Sequence, residues 1–128
     1  MIAALVLALL LAPAERPGYF GFALTLHSDA TSQWMIVQDV TPGGAAARAG
    51  LAPMDVITAI DGKPLRFRDD AAFLDFIGHT RPGDRLRFTV LRKQRRKTIA
   101  VKAATMPDDV YEAWQAMLEM ARRRRPDR

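Results

Sequence analysis

Turn-forming residues recur along this chain, at Pro42-Gly43-Gly44, Gly50, Asp61-Gly62 and Pro82-Gly83-Asp84, so that between Gly18 and Gly83 it reads as compact elements joined by short turns. What lies between them alternates. Phe20, Phe22, Leu24 and Leu26 repeat every second residue, the period of a strand with one face buried. Gln33 to Val40 reads as a second strand, with Trp34, Ile36 and Gln38 on one face and Met35 and Val37 on the other. His27 to Ser32 is polar and fits the hairpin loop between them.

Further along, Gly44 to Ala49 predicts a short alanine-rich helical turn closed by Gly50 in the left-handed conformation. Asp55 to Ile60 predicts a strand ending in the tight Asp61-Gly62 turn. Asp69 to Gly78 predicts a helix, with Asp69 and Asp70 in its first turn, where the helix dipole favours carboxylates. Its apolar residues Ala72, Phe73, Phe76 and Ile77 form one broad stripe. Leu86 to Arg92 and Thr98 to Ala103 predict a last hairpin with Arg92 to Lys97 as its tip. The fold class is therefore α+β, mainly β.

The glycines near the start carry chemistry as well as shape. Gly18 and Gly21 bracket Tyr19 and Phe20 at the entrance to the first alternating run, and positive φ there lets successive backbone N–H groups turn toward one point. A concave cluster of amides binds an anion, and a peptide carboxylate is one.

Taken in order, Gly18-Tyr-Phe-Gly-Phe22, Val40-Thr-Pro-Gly-Gly-Ala-Ala46, Ala49-Gly-Leu-Ala-Pro-Met-Asp-Val-Ile57, Ile60-Asp-Gly-Lys-Pro-Leu65 and Arg81-Pro-Gly-Asp84 form a series. It resembles a PDZ domain of the bacterial type, such as those attached to exported serine proteases and other envelope proteins, here as a stand-alone module. The resemblance implies a partly open barrel or sandwich of five to six strands with two helices over residues 15–104. It implies a module that holds a C-terminal carboxylate or an extended peptide by adding it to the sheet. The amides of Phe20, Gly21 and Phe22 would take the carboxylate. Tyr19, Ala23 and Leu24 would extend that wall of the groove, and Ala72 with Phe76 would supply the other. Phe73 and Ile77 would then face the core. A hydrophobic last residue on the ligand follows from this lining. The chain departs from the family's habits in two places: no glycine in the Arg92–Lys97 turn, and Met54 where glycine usually precedes the aspartate.

Outside the resemblance lie the two ends. Eleven apolar residues follow Met1, too few for the roughly 20 that cross a bilayer core, and Ala12-Pro13-Ala14 supplies small residues where a signal peptidase reads them. Residues 1–14 are expected to be a signal peptide or a short membrane anchor, which predicts an exported location in the periplasm or cell envelope. At the other end Thr105-x-x-Asp108 predicts a capping box, with Pro107 in the first turn. Val110, Trp114, Met117, Leu118 and Ala121 follow helical spacing over residues 105–128. Trp114 and Met117 either dock this extra helix on the domain or leave it as an amphipathic, basic-ended helix for a partner or membrane surface.

The 128 residues carry 19 Lys and Arg against 14 Asp and Glu. Arg92, Lys93, Arg95, Arg96 and Lys97 concentrate five of the cations and make a candidate surface for anionic lipid. No zinc ligand set or recognition-helix pattern accompanies them, so nucleic acid is not expected as a partner. Cysteine is absent, which excludes disulfides and thiol chemistry. The triad residue types in His27-Ser28-Asp29 are neighbours in one loop and cannot adopt triad geometry. With His79 as the one other imidazole, neither a general base with a partner nor a metal site is expected, nor any cofactor. The expected activity is binding, not catalysis. A protease or membrane protein, if involved, would be a separate chain.

Overall fold

In the computed structural model, which describes residues 16–124, the alternation read from the sequence becomes one antiparallel sheet. The elements run β1 (Gly18–Tyr19), β2 (Phe22–Ser28), β3 (Gln33–Val40), α1 (Ala45–Ala49), β4 (Val56–Ile60), β5 (Lys63–Pro64), α2 (Asp70–Gly78), β6 (Arg85–Arg92), β7 (Arg95–Lys102), β8 (Ala104–Thr105) and α3 (Asp108–Arg123). The main sheet is ordered β2-β3-β4-β6-β7, with β5 added to β4, and it stays open instead of closing into a barrel. A separate small ladder joins β1 to β8 through Gly18↔Thr105 and Tyr19↔Ala104.

One face of the sheet makes the core. Met35 and Val37 from β3, Ile57 from β4, Phe88 and Val90 from β6 and Val101 from β7 are all fully buried. Ala45 and Ala46 of α1, with Leu51 behind it, cover one side of this layer. Gly50 closes α1 at φ 99°, donating to the carbonyls of Ala46 and Ala47. On α2, Asp69 is the N-cap, outside the first turn, and its carboxylate accepts from the Ala72 N–H at 2.9 Å. At the β4–β5 turn Asp61 and Gly62 both take positive φ, as a tight two-residue hairpin requires.

Four local expectations change. The last hairpin turns on Lys93 and Gln94 alone, both with positive φ, so Arg95, Arg96 and Lys97 belong to β7 and not to a loop. Arg92 is no free cation: its Nε and Nη2 donate to the two carboxylate oxygens of Asp55 at 2.7 Å each, and Nη2 also reaches the Gly50 carbonyl. The capping box does not form, because Pro107 is itself the N-cap residue and no side chain caps α3. Met54 adopts φ 75° without glycine's freedom, its N–H held by the Val37 carbonyl while its side chain stands in solvent.

Helix α3 docks on α2. The Trp114 ring covers Gly78, where an added Cβ would come within 3.3 Å of it, and Arg122 pairs with Asp75 at 2.9 Å. Met117 takes no part in this and is half exposed. Arg16 ties the start of the domain to the root of α3, pairing with Asp108 at 2.6 Å and lying over the Tyr111 ring. Among the described residues no helix is long and apolar enough to cross a membrane. The apolar leader and Arg125 lie outside the described residues.

Asp55 is 2% exposed, whereas the Arg92 side chain keeps 32% of its surface. Burial pushes the Asp55 carboxyl up, but the Arg92 guanidinium and the Ala52 N–H more than offset it, holding the group below its ordinary 3.8. Arg92→Met strands that carboxylate and should cost about 3 kcal/mol, the low end for a broken buried pair because Arg92 is partly solvated. In urea titrations the native chain keeps the Asp55 contribution above 3.8 and loses it as pH falls through the lowered value. The variant should do the reverse, gaining stability on acidification as the stranded group takes up a proton.

Candidate functional site

Gly18 begins the site because nothing larger fits. An added Cβ would lie 2.6 Å from that of Ala103, so β1 can sit against β8 only without a side chain there. The Gly18 N–H is taken by Thr80, through both its carbonyl and its hydroxyl. Three residues on, Gly21 holds φ 74°. The carbonyls of this loop point away from the sheet edge, Phe20 accepting from the Ala46 N–H at 2.8 Å and Gly21 from the Thr41 N–H at 2.9 Å. Among the described residues no group accepts from the N–H of Phe20 or Gly21.

Strand β2 continues from this loop as an edge strand. It pairs with β3 from Phe22↔Val40 to Ser28↔Gln33, with a bulge at Ala23/Leu24, and its other side has no strand partner among the described residues. Phe22, Leu24 and Leu26 are half-buried against the core. Ala23 faces solvent. The Tyr19 hydroxyl lies 3.3 Å from that of Thr41. Phe20 is 2% exposed, its ring stacked on Phe22 at 5.6 Å and edge-on to Phe88. Its ring therefore belongs to the core, while its N–H has no acceptor among the described residues.

On α2, Ala71 and Ile77 are the buried positions, and Ala72 is half-buried. Phe73 and Phe76 are both half-buried and both pack against the core, Phe73 facing it as expected and Phe76 sharing that contact. Both rings meet Phe67, at 5.2 and 5.5 Å. Phe67 and Gln33 are contributions that sequence reasoning missed. The Gln33 side chain donates to the Phe67 carbonyl and accepts from the Phe67 N–H, each at 2.7 Å, so one amide copies a β-bridge between the start of β3 and the segment leading to α2. The alternation Leu65, Phe67 was the available signal for the first. For Gln33 no signal exists, its partner being 34 residues away.

Other polar groups singled out are engaged locally. The Asp29 carboxylate accepts from the N–H groups of Thr31 and Ser32 and from both hydroxyls, and these bonds hold its pKa below the ordinary value. His27 stacks on Trp34 and bonds the Thr25 hydroxyl, so it shares no site with Asp29. His79 Nδ1 lies 2.7 Å from the Asp75 carbonyl. Of the five cations, Lys93 is at the turn, Arg95, Arg96 and Lys97 are exposed on β7, and Arg92 is withdrawn to Asp55.

Comparison with known proteins agrees with this geometry. Residues 18–103 match the sequence profile of the PDZ domain. A probable periplasmic serine endoprotease DegP-like of Pseudomonas fulva (strain 12-X) is 38% identical over 74 residues, which are 58% of this chain and 15% of that protein. Its counterpart in Brucella suis biovar 1 (strain 1330) is 36% identical over 74 residues, again 58% of this chain and 14% of the relative. The chain thus spans a small part of the length of these relatives. Among solved structures, an HtrA-type protease AlgW with decapeptide superposes with TM-score 0.59 at 24% identity, over 72% of this chain and 30% of that one. The serine endoprotease from Yersinia pestis gives TM-score 0.56 at 23% identity, over 83% and 36%.

The Gln33–Phe67 bridge ties the start of β3 to the segment leading to α2. Gln33→Ala should cost about 1–3 kcal/mol, two part-buried hydrogen bonds with Phe67 left unpaired. Gln33→Glu should recover only part of it, because a carboxylate accepts from the Phe67 N–H but offers nothing to its carbonyl. Chemical denaturation of the two variants checks the order.

Proposed function

The chain belongs to the PDZ domain family, and on that premise we propose that it is a peptide-binding module that captures the carboxyl end of another polypeptide as an added strand beside β2. The observation that carries this is the combination of an edge strand without a partner and a loop, turned by Gly21, whose outward groups are N–H donors. An extended ligand would continue the ladder along β2 and end at the amides of Phe20, Gly21 and Phe22. Its last side chain would enter the apolar space between Phe22 and Leu24 on one wall and Ala72 and Phe76 on the other, which favours a hydrophobic residue. Neither Ala72 nor Phe76 can donate or accept a side-chain hydrogen bond, so no Ser or Thr is required upstream. One added strand buries little area, so affinity is micromolar.

The relatives' names support an exported, periplasmic setting, and the apolar leader fits it. The HtrA-type protease solved with a decapeptide supports the ligand class. In this reading the chain recognises a polypeptide, and a separate envelope protease or a membrane protein is its partner.

Isothermal titration against decapeptides that end in Val or Phe, as free acids and as C-terminal amides, tests the reading. The free acids should bind, and amidation should weaken them at least about tenfold, a 1.4 kcal/mol loss. Phe76→Ala should weaken the free acids further while the fold persists, a better probe than Phe22→Asp, since the Phe22 ring also packs on Phe20 and Phe88. Equal binding of acid and amide would overturn the carboxylate assignment.

A further inference from the structure

The opposite end of the sheet carries a second surface. β6 and β7 pair in register from Arg85↔Lys102 to Arg92↔Arg95. Leu86, Phe88, Val90, Ile99 and Val101 turn inward, so Arg85, Arg87 and Thr89 face outward beside Thr98 and Ala100. Together with the Asp61-Gly62 turn these five line an open trough of about 560 Å³. The register places Lys102 across from Arg85 and Arg96 across from Leu91, one cation near each end. Arg85, Arg87, Arg96 and Lys102 are exposed, and none has an ion-pair partner among the described residues.

We propose that this trough is a second binding site, for an extended segment of a partner protein carrying carboxylates at alternate positions. Its chemistry matches that occupant in three respects. Arg85 and Arg87 lie two residues apart on one strand, about 6.7 Å, the distance between side chains i and i+2 of an extended ligand. Each guanidinium can take a carboxylate through two parallel hydrogen bonds. Between the cations the floor is Thr89, Thr98 and Ala100, small enough to admit a backbone and polar enough to bond it.

Asp61 flanks the trough on the β4 side of β6 and commits one carboxylate oxygen to the Arg87 N–H at 2.9 Å, which leaves the run from Arg85 and Lys102 to Arg96 open to an acidic ligand. A bilayer is a poorer fit, since the trough is concave and its one apolar lining residue is Ala100, while the exposed Met54, Met117 and Met120 lie elsewhere. A single-stranded nucleic acid would need aromatic platforms, and the trough has none. The site is independent of the β2 groove, because β2 and β7 are the two ends of the strand order.

The test is fluorescence anisotropy of the full chain with a fluorescein-labelled, C-terminally amidated decapeptide of alternating Glu and Ser, beside its Gln-Ser counterpart. The amide removes any contribution from a terminal carboxylate. Binding should be confined to the Glu peptide and weaken steeply between about 50 and 300 mM salt as charge is screened. Arg85→Gln/Arg87→Gln should lose at least about tenfold in affinity. Arg95→Gln/Lys97→Gln, which removes the same charge from the other face, should lose less than about twofold. Phe76→Ala should change nothing, which separates this site from the groove. Equal losses in the two charge-matched variants, equal affinity for the Glu and Gln peptides, or tighter binding to phosphatidylglycerol vesicles or poly(U) than to the Glu peptide would each overturn the proposal. Circular dichroism of both double variants distinguishes lost binding from lost fold, and Arg85→Lys/Arg87→Lys, which keeps charge without the fork, should fall between native and Gln variants.

Discussion

Phe20 has to satisfy two demands at once. Its ring must be buried, because it fills the space between Phe22 and Phe88, and its peptide group must stay at the sheet edge. The carbonyl half of that peptide unit is fixed by the Ala46 N–H of α1, so the loop is anchored from below by aromatic packing and from the side by a helix. Gly21 resolves the conflict, since φ 74° lets the chain turn out of the core in one residue and enter β2. The amides are thereby held in place, so the ligand proposed above would not have to supply the energy to order them.

A second anchor lies at the other side of the core. Asp55 gathers the Ala52 N–H and the Arg92 guanidinium, and Arg92 extends the network to the Gly50 carbonyl. The segment after α1, the start of β4 and the end of β6 are thus pinned to one another without a buried group left unpaired. It also explains how Met54 can occupy a left-handed conformation, because its own N–H bonds the Val37 carbonyl while the next residue is locked.

Much of this was legible from local pattern. The alternation in β3, the glycine that ends α1, the Asp61-Gly62 turn and the helix opened by Asp69 are each encoded within a few residues, and each is where its pattern puts it. Features that depend on pairs far apart in sequence were not legible. Arg92 looked like one more member of a basic run because Asp55 is 37 residues away. The run itself misled: five cations in six residues read as a loop, yet Lys93 and Gln94 make the turn unaided and strand alternation then divides the rest between two faces. On α2 the stripe was recognised but its division was not, because Phe67, which approaches from outside the helix, decides how Phe73 and Phe76 pack.

The Gly18↔Thr105 and Tyr19↔Ala104 ladder has a mechanical consequence. Being antiparallel, it brings the incoming and outgoing segments through the same end of the domain, side by side. Tension applied between them would therefore part the ladder rung by rung, the geometry of a zipper, instead of shearing all its bonds together. The ladder lies between those two segments and the β2–β3 pair, so tension between them would open it while β2 stayed paired with β3.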